Sequence, residues 1–286
     1  MRIGKLAKSA PVALGGGLAL ASAAASVGMK RRRLARSVEH EARALFERSR
    51  GPATMSLDGL PPPVRRYLEL AVRDTERPVS AVRLRHGGTF RTSLDGAWMS
   101  IRGQQYFTAD EPAFLWWGRV RMAPGVWVDG RDSSIAGEGR MRVELLSTFR
   151  LADARGPDLD QGALVRLLGE MFWMPPALAD RRYVTWTEAG EHAASAVLRV
   201  GGRQAEATFE FDDRGLPSSF RAMRMRDVRG KGVLTPFDGR GSDFRWVSGL
   251  YVPHHVEGAW VVDGARKEYA RFDVETFEVN RPEPFD

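Results

Sequence analysis

The sequence predicts a mainly β protein, built as a large antiparallel meander of about 10–11 strands that curls into a half-closed or closed barrel. Three observations indicate this class. Apolar and polar residues alternate along most of the chain after Ser80, glycine-containing pairs separate the alternating runs, and one amphipathic segment near the middle has helical spacing. The 286 residues are 43% hydrophobic and 28% charged, a composition typical of a folded globular protein.

An apolar segment between two basic clusters begins the chain. Residues 1–9 carry three positive charges, Ala10–Met29 carries no charge, and Lys30–Arg33 is wholly basic. About 20 residues are enough to span a bilayer, so we expect residues 1–30 to be an uncleaved anchor that makes the protein membrane-associated. Export followed by signal cleavage near Ala23 is the alternative. The basic clusters on both flanks leave the side of the membrane open.

The basic character of the chain is confined to its N-terminal tail. Residues 1–50 carry 11 Lys or Arg and 3 Asp or Glu, whereas residues 51–286 carry 32 and 33. A nucleic-acid-binding protein needs basic residues concentrated on its folded face, so we expect no nucleic-acid partner. The chain has no cysteine, which excludes disulfides, thiol catalysis and thiolate metal sites.

Two helices are expected before the strands. Residues 31–56 are predicted to form a charged helix and a linker, and a single β domain is predicted to span residues 57–286. The second helix begins at prolines 61–63, because proline presets the first helical turn but cannot extend a helix backward. Helical spacing puts these residues on the buried sides: Leu34, Val38, Ala42 and Leu45 in the first helix, and Val64, Tyr67, Leu68 and Ala71 in the second.

Alternation predicts the strands and their buried faces. In antiparallel sheets one face commonly packs on the core while the other meets water. The apolar sets of three such runs are Met141, Val143, Leu145 and Phe149; Ala205, Ala207, Phe209 and Phe211; and Phe272 with Val274. Hairpin turns are expected at Asp95-Gly96, Asp129-Gly130, Gly201-Gly202 and Asp263-Gly264, since such pairs accept positive φ angles.

The helical segment at residues 158–178 interrupts the strand pattern. Its apolar residues at helical spacing are Leu164, Leu167, Leu168, Met171 and Phe172. Asp158 or Asp160 is expected to cap its start, and Pro175 with Pro176 to end it. Burying five such side chains contributes on the order of 7–15 kcal/mol as an upper estimate, so we expect this helix to plug or cover the concave face of the barrel.

Glu170 on this helix is the candidate for acid/base chemistry. It lies two residues from both Leu168 and Phe172, so partial desolvation would raise its pKa and suit it to general acid/base catalysis. His255 or Asp132 would then be its partner. The alternative interpretation is an ion pair between Glu170 and one of the many arginines.

Six side chains are expected to contact an apolar ligand inside the barrel: Trp116, Phe149, Phe209, Met171, Phe172 and Trp173. Trp116 and Trp173 in particular would line a lipid-sized pocket. The alternative is that one member of each aromatic pair, Trp116-Trp117 and Phe172-Trp173, packs in the core while the other lies at a rim. No cofactor is expected, because the phosphate loop and the three-glycine dinucleotide loop are absent. No metal is expected either, since neighbouring residues on a strand, such as His254 and His255, point to opposite faces.

Several segments, in their order along the chain, resemble a bacterial family catalogued only as a domain of unknown function. They are GLPPPVRRYLELAV, RPVSAVRLRHGGTFR, APGVWVDGRDSSIAGEGRM, GEMFWMPPAL and YVPHHVEGAW, and together they span roughly residues 57–280. The resemblance implies no established activity. The expected architecture is more distantly similar to the half-barrel carriers that ferry lipoproteins across the bacterial envelope, and fold alone does not fix function.

Three functions remain open at this point. The first is a membrane-tethered binding protein that holds a lipid or another apolar small molecule in the half-barrel cavity. The second is an enzyme of unknown reaction that uses Glu170 as a general acid/base. The third is a structural protein of the cell envelope with a filled barrel.

Overall fold

The computed structural model describes the backbone of residues 10–73 and 78–286 and the side chains from residue 25 onward, outside residues 74–77. The helices are α1 (Ala10–Glu47), α2 (Pro62–Ala71), α3 (Pro157–Glu170) and α4 (Pro175–Leu178), with a 3-10 turn at Met171–Trp173. The strands are β1 (Ala81–Phe90), β2 (Met99–Thr108), β3 (Ala113–Ala123), β4 (Val126–Ile135), β5 (Glu138–Leu145), β6 (Phe149–Ala154), β7 (Val184–Gly190), β8 (Ala193–Val200), β9 (Arg203–Phe211), β10 (Pro217–Val228), β11 (Lys231–Val247), β12 (Leu250–Val262) and β13 (Ala265–Val279).

The thirteen strands in the described part of the chain form one antiparallel sheet. Their order is β6-β5-β4-β3-β2-β1-β13-β12-β11-β10-β9-β8-β7. Two meanders, β1–β6 and β7–β13, are joined where the first strand pairs with the last, with Val82 opposite Val279. The predicted mainly β antiparallel architecture is therefore confirmed, with thirteen strands in place of about 10–11, and the sheet is not closed.

The predicted hairpin turns hold with one exception. Asp95-Gly96, Gly201-Gly202 and Asp263-Gly264 lie in turns. Asp129-Gly130 is wrong as a turn, because both residues lie in the middle of β4 and the hairpin turns at residues 124–125 instead. Gly130 is a glycine because a tryptophan ring lies against it, as described below.

α3 lies inside the curve of the sheet. It contacts β4 and β5 of the first meander and β9 and β10 of the second. The five apolar side chains predicted to face inward are buried: Leu164, Leu167, Leu168, Met171 and Phe172. The helix therefore occupies the concave face, as the sequence predicts.

The two ends of this helix differ from the expectation. Neither Asp158 nor Asp160 caps it; Gly156 precedes it with a φ of 118° and Pro157 is its first residue. Asp160 instead accepts hydrogen bonds from the Gly139 amide at 2.7 Å and from Arg203 Nε at 3.0 Å, which ties the helix to β5 and β9. At the other end α3 passes into the 3-10 turn at Met171, and Pro175 begins α4, because proline is favourable at the first position of a helix.

α1 packs on the convex face of the sheet. Leu34, Val38, Ala42 and Leu45 are buried, as predicted, and the last three pack against side chains of β2 and β3. Glu41 forms ion pairs with Arg131 at 2.9 Å and with Arg142, which holds the helix to β4 and β5. Residues 1–9 of the expected anchor lie outside the described residues, and so do the side chains of residues 10–24. In the part of the chain whose side chains are described, no helix combines the length and the apolar character that membrane crossing requires.

The β4–β5 and β8–β9 hairpins meet at their tips, so the two meanders touch at one end of the molecule. A Cβ atom on Gly201, at the tip of the β8–β9 hairpin, would lie 1.8 Å from the carbonyl oxygen of Ala136. Gly201 has a φ of 57° and the next residue, Gly202, a φ of 75°. Only Gly201 lies against the other hairpin, since nothing lies within 4 Å of a Cβ built on Gly202.

Replacing these two glycines separately measures the contact between the tips. Gly202→Ala should cost about 1 kcal/mol of unfolding free energy, because alanine must adopt a left-handed conformation. Gly201→Ala should cost roughly 1–3 kcal/mol more, because its Cβ also displaces the facing hairpin. Urea unfolding of the two variants gives the comparison, and equal losses would show that the tips do not touch in solution.

Candidate functional site

A cavity of about 160 Å³ lies between α3 and the concave face of the sheet. Gly169 and Glu170 of α3, with Phe172 and Trp173 of the 3-10 turn, cover it. The strand residues that line it come from both meanders: Phe90, Trp116, Asp132, Met141, Phe220, Arg224, Phe237, Gly239, Arg240, Val256, Glu257, Gly258, Tyr269, Ala270 and Phe272. Because the lining residues come from eight strands and from α3 with its following turn, the cavity exists only in the assembled fold.

Eight aromatic side chains line the cavity, and several of them pack against one another. Phe237 contacts Phe220 and Trp260 edge-to-face, with ring centroids 6.3 Å and 5.4 Å apart. Phe172 and Trp173 are also edge-to-face at 5.4 Å. Such arrangements favour the aromatic quadrupoles and fix the rings in place, so the cavity has rigid apolar walls.

A buried guanidinium, that of Arg166, lies at one end of the cavity. Gln105, Trp116 and Asp132 stand directly opposite one another on β2, β3 and β4. Arg166 lies over the Trp116 ring at 5.0 Å and donates to Asp132 Oδ2 at 2.9 Å and to Gln105 Oε1 at 3.4 Å. It also donates to Glu170 Oε1 at 2.8 Å, one turn along α3. Arg166 therefore joins the covering helix to three adjacent strands.

Glu170 is fully engaged by this network. Its Oε1 accepts the Arg166 bond and its Oε2 accepts a bond of 2.6 Å from Gln105 Nε2. Burial raises the pKa of Glu170 above its usual value, although Arg166 and Gln105 oppose the shift. Burial alone would lower the pKa of Arg166, but the charges of Glu170 and Asp132 outweigh it and the pKa is raised. The network is thus two ion pairs that share Arg166 in a largely buried site.

Asp132 keeps one unused acceptor. Its Oδ1 is buried and has no hydrogen-bond partner in the described part of the chain, while its Oδ2 binds Arg166. A buried carboxylate oxygen without a partner is unfavourable by roughly 1–3 kcal/mol or more. The residue lines the cavity, so a donor group of a bound molecule could satisfy this oxygen.

A row of glycines allows the Trp116 and His86 rings to lie flat on the sheet. His86, Gly103, Gly118 and Gly130 stand opposite one another on β1 to β4. A Cβ on Gly118 would lie 2.3 Å from the Trp116 ring, and a Cβ on Gly103 would lie 2.2 Å from His86 Nε2. Any larger residue at these two positions would clash with the two rings and displace them.

His86 is a neutral acceptor that orients Trp116. Its Nε2 accepts a hydrogen bond from Trp116 Nε1 at 2.9 Å, so its ring proton lies on Nδ1, 3.2 Å from the Gly87 carbonyl oxygen. Burial lowers the pKa of His86 to about 4, and the charge of Arg166 acts in the same direction. Phe272 stacks on His86 at 4.2 Å. The imidazole therefore stays neutral at physiological pH and supports Trp116 and Phe272, which line the cavity.

A second guanidinium, that of Arg224, lies on the cavity wall contributed by β10. It lies over the rings of Phe237 and Trp260, and donates to the Gly162 carbonyl at 2.8 Å and to the Tyr269 hydroxyl at 3.3 Å. Within the described residues it forms no ion pair with a carboxylate. Arg224 thus contributes to the cavity wall a positive charge that is not in direct contact with a carboxylate among the described residues.

The structure brings together part of the predicted site. Trp116, Phe172, Trp173 and Glu170 line the cavity, and so does Asp132, one of the two partners considered for Glu170. Met171 and Phe209 are buried in the core but do not line the cavity. Phe149 lies outside, on the edge strand β6, with 59% of its surface exposed. His255 is separate from Glu170 and binds Asp273 at 2.7 Å, with Glu257 3.6 Å away.

Sequence reasoning missed Arg166, Arg224 and the glycine row. Arg166 lies four residues before Glu170 on a predicted helix, a spacing that itself favours an ion pair. Every second residue of β10 faces inward, and these residues change from Phe220 and Ala222 to Arg224 and Arg226. The alternation of apolar and polar residues therefore could not show that Arg224 faces the cavity. The glycine row depends on the register of four strands, which a single sequence does not show.

Removing Arg166 tests how the charged network supports the site. Arg166→Met leaves Glu170 and Asp132 buried without a cation, so we expect a loss of about 3–5 kcal/mol of unfolding free energy near neutral pH. The loss should shrink toward about pH 5, because the folded variant binds protons at Glu170 that the unfolded chain releases. Urea unfolding at several pH values measures both effects.

Arg140→Met is the matched control for this substitution. Arg140 pairs with Asp153 at 2.9 Å near the edge of the sheet, where both side chains meet solvent. Its removal should cost less than about 1 kcal/mol. A loss for Arg166→Met that is as small as the control, or that does not depend on pH, would contradict the buried network.

Three solved structures show limited similarity to the chain. A LolA superfamily protein from Nitrosomonas europaea has 10% identity and a TM-score of 0.37, with 76% of this chain and 92% of that chain covered. A DUF1329 family protein from Desulfovibrio piger has 14% identity and a TM-score of 0.34, with 77% and 94% covered. A β-barrel-like protein of the domain of unknown function DUF1849 from Brucella abortus has 14% identity and a TM-score of 0.25, with 73% and 99% covered.

A search of the curated proteins finds no match to the chain. The family model of DUF6544, a family of unknown function, matches residues 52–272. As the resemblance predicts, the chain belongs to this family of unknown function, DUF6544.

Proposed function

We propose that the protein is a binding protein that holds the apolar part of an amphiphilic small molecule, such as a lipid, beneath α3. The observation that carries this proposal is the aromatic-walled cavity between the helix and the concave face of the sheet. A few fixed polar groups in a largely apolar pocket are typical of small-molecule sites. Asp132 and Arg224 are such groups here.

The size of the cavity limits what it encloses. Its volume of about 160 Å³ is close to that of an engineered apolar cavity, of about 150 Å³, that binds benzene. Pockets that enclose a whole drug-sized ligand are larger, about 300–1,000 Å³. The cavity therefore suits one ring or a short stretch of an acyl chain, and the rest of the ligand would extend past the cavity.

The polar end of the ligand would lie near Arg224. This guanidinium has no carboxylate partner among the described residues, and its charge favours an anionic group such as a carboxylate, sulfonate or phosphate. A donor group elsewhere on the ligand could satisfy Asp132 Oδ1. The geometry supports binding better than catalysis by Glu170, since both oxygens of that carboxylate are already occupied.

Two fluorescent probes test the cavity and its charge. Anilinonaphthalene sulfonate is anionic, and phenylnaphthylamine has a similar ring system without the sulfonate. Ala270→Phe should abolish binding of both probes, because Ala270 lines the cavity and the added ring fills it. Arg224→Gln should weaken only the anionic probe, by roughly 10- to 150-fold, since a charge-assisted contact contributes roughly 1.5–3 kcal/mol. Fluorescence titration gives both affinities.

Control variants distinguish the site from general effects. Arg221→Gln removes a charge from the exposed face of the same strand and should change neither affinity. Ala265→Phe adds a ring at an exposed residue of β13, the strand that carries Ala270, outside the cavity, and should leave both probes bound. Tight binding of both probes by Ala270→Phe would contradict the proposed site. Independently of the probes, mass spectrometry of an organic extract of the purified chain would identify a natural ligand that the protein retains.

We also propose that the N-terminal apolar segment attaches the chain to a membrane. The support is the run of twenty uncharged residues, Ala10–Met29, followed by Lys30–Arg33. Replacing Leu18 and Leu20 by lysine should move the chain from the membrane fraction to the soluble fraction, because each buried charge costs about 2.5–3.5 kcal/mol. Alanine at both positions is the control, and a lysine variant that stays in the membrane fraction would contradict the attachment.

A further inference from the structure

A basic groove runs along the convex face of the sheet, opposite the cavity. Five arginines line it, from α1 and strands β1 to β3, and Glu275 is the carboxylate among its lining residues. They are Arg31, Arg85, Arg102, Arg119 and Arg121. Arg119 pairs with Asp129 at 2.8 Å. Arg31, Arg102 and Arg121 are exposed and form no ion pair within the described residues, so the groove carries a net positive charge.

An apolar hairpin tip lies at the end of this groove. The turn between β3 and β4 consists of uncharged residues, and all of residues 122–126 are exposed. Met122 is 42% exposed and Val126 is 38% exposed. Trp127 follows directly and lies against the Arg119 guanidinium, at 5.0 Å. Exposed apolar residues beside arginines and an aromatic ring are typical of a surface that meets the interface of a lipid bilayer.

α1 brings the N-terminal segment to the same place. Arg31 lines the groove together with the end residues of the hairpin, Ala123, Gly125 and Val126. The twenty residues before Lys30 carry no charge, and Met29 is exposed. The apolar segment therefore joins the folded body beside the apolar hairpin tip and the unpaired arginines.

From this arrangement we propose that the β3–β4 hairpin tip and the arginine groove contact the surface of a membrane that contains anionic lipids. The arginines would neutralise lipid phosphates, while Met122 and Val126 enter the interface. A basic residue near an anionic bilayer surface is attracted by about 1 kcal/mol, equivalent to roughly a fivefold change in partitioning. A nucleic acid would use the arginines alone and leave the apolar tip without a role, so the tip favours a lipid surface.

A single thiol on the tip reports the contact directly. Met122→Cys gives the full chain one cysteine, because it has no other, and the thiol can carry an environment-sensitive fluorophore. On vesicles of phosphatidylcholine and phosphatidylglycerol, its emission should shift to the blue as the label leaves water. Met223→Cys, on β10 with 46% exposure, is the matched control and should keep its aqueous emission. No shift at residue 122, or an equal shift at both residues, would overturn the proposal.

Charge-reversal variants distinguish the effect of the groove arginines from the effect of the net charge of the protein. Arg102→Glu with Arg121→Glu, in the labelled chain, should lower the inserted fraction of the label at least about tenfold. Arg155→Glu with Arg229→Glu changes the net charge equally on exposed residues outside the groove and should have little effect. If the two charge-reversal pairs lowered the inserted fraction of the label equally, the proposed role of the groove would be overturned. A label that responds to an oligonucleotide and not to vesicles would assign the surface to nucleic acid instead.

Discussion

The guanidinium of Arg166 lies between Gln105 and Asp132, the two residues that flank Trp116 on neighbouring strands, and also binds Glu170 on its own helix. Removing these charges from water is unfavourable, and only their close pairing offsets the cost. The position of α3 is therefore set in angle and in height above the sheet, since a small displacement would leave a buried charge unpaired. The cavity is the space that this fixed height leaves unfilled.

The width of that space depends on the sheet itself. Trp116 and His86 lie flat because Gly103 and Gly118 offer no side chains beneath them, and the bond between the two rings holds them down. Side chains of ordinary size would fill the gap under the helix, as protein interiors are usually close-packed. Because the glycines have no side chains, the Trp116 and His86 rings lie directly on the strands and leave space above them. The result is a flat aromatic surface.

Sequence patterns correctly predicted the features that depend on residues close together in the chain. Alternation placed Ala205, Ala207 and Phe209 inward, and helical spacing placed the apolar face of α3 against the sheet. The pairing of β1 with β13 joins residues about 200 positions apart, and no local pattern shows it. The pair Asp129-Gly130 was wrongly predicted as a turn because the residue that Gly130 accommodates, Trp116, lies on the neighbouring strand β3 and is not visible in the local sequence. For Glu170, the alternative interpretation of an ion pair is the one present, and its partner Arg166 lies four residues away on the same helix. The contacts of this pair with Gln105 and Asp132 depend on tertiary packing.

The covering helix is not held equally along its length. Near its start, Asp160 binds both meanders, through the Gly139 amide and the Arg203 guanidinium. Near its end, the charged contacts of Arg166 reach only the first meander, and the second meander meets the helix through the close approach of Gly169 to the Phe220 ring. Charge-assisted bonds are about twice as strong as neutral ones and depend on direction, whereas apolar packing has no preferred direction. The cavity lies between these two kinds of contact, with the packing of Gly169 on Phe220 on one side and the ion pairs of Arg166 on the other.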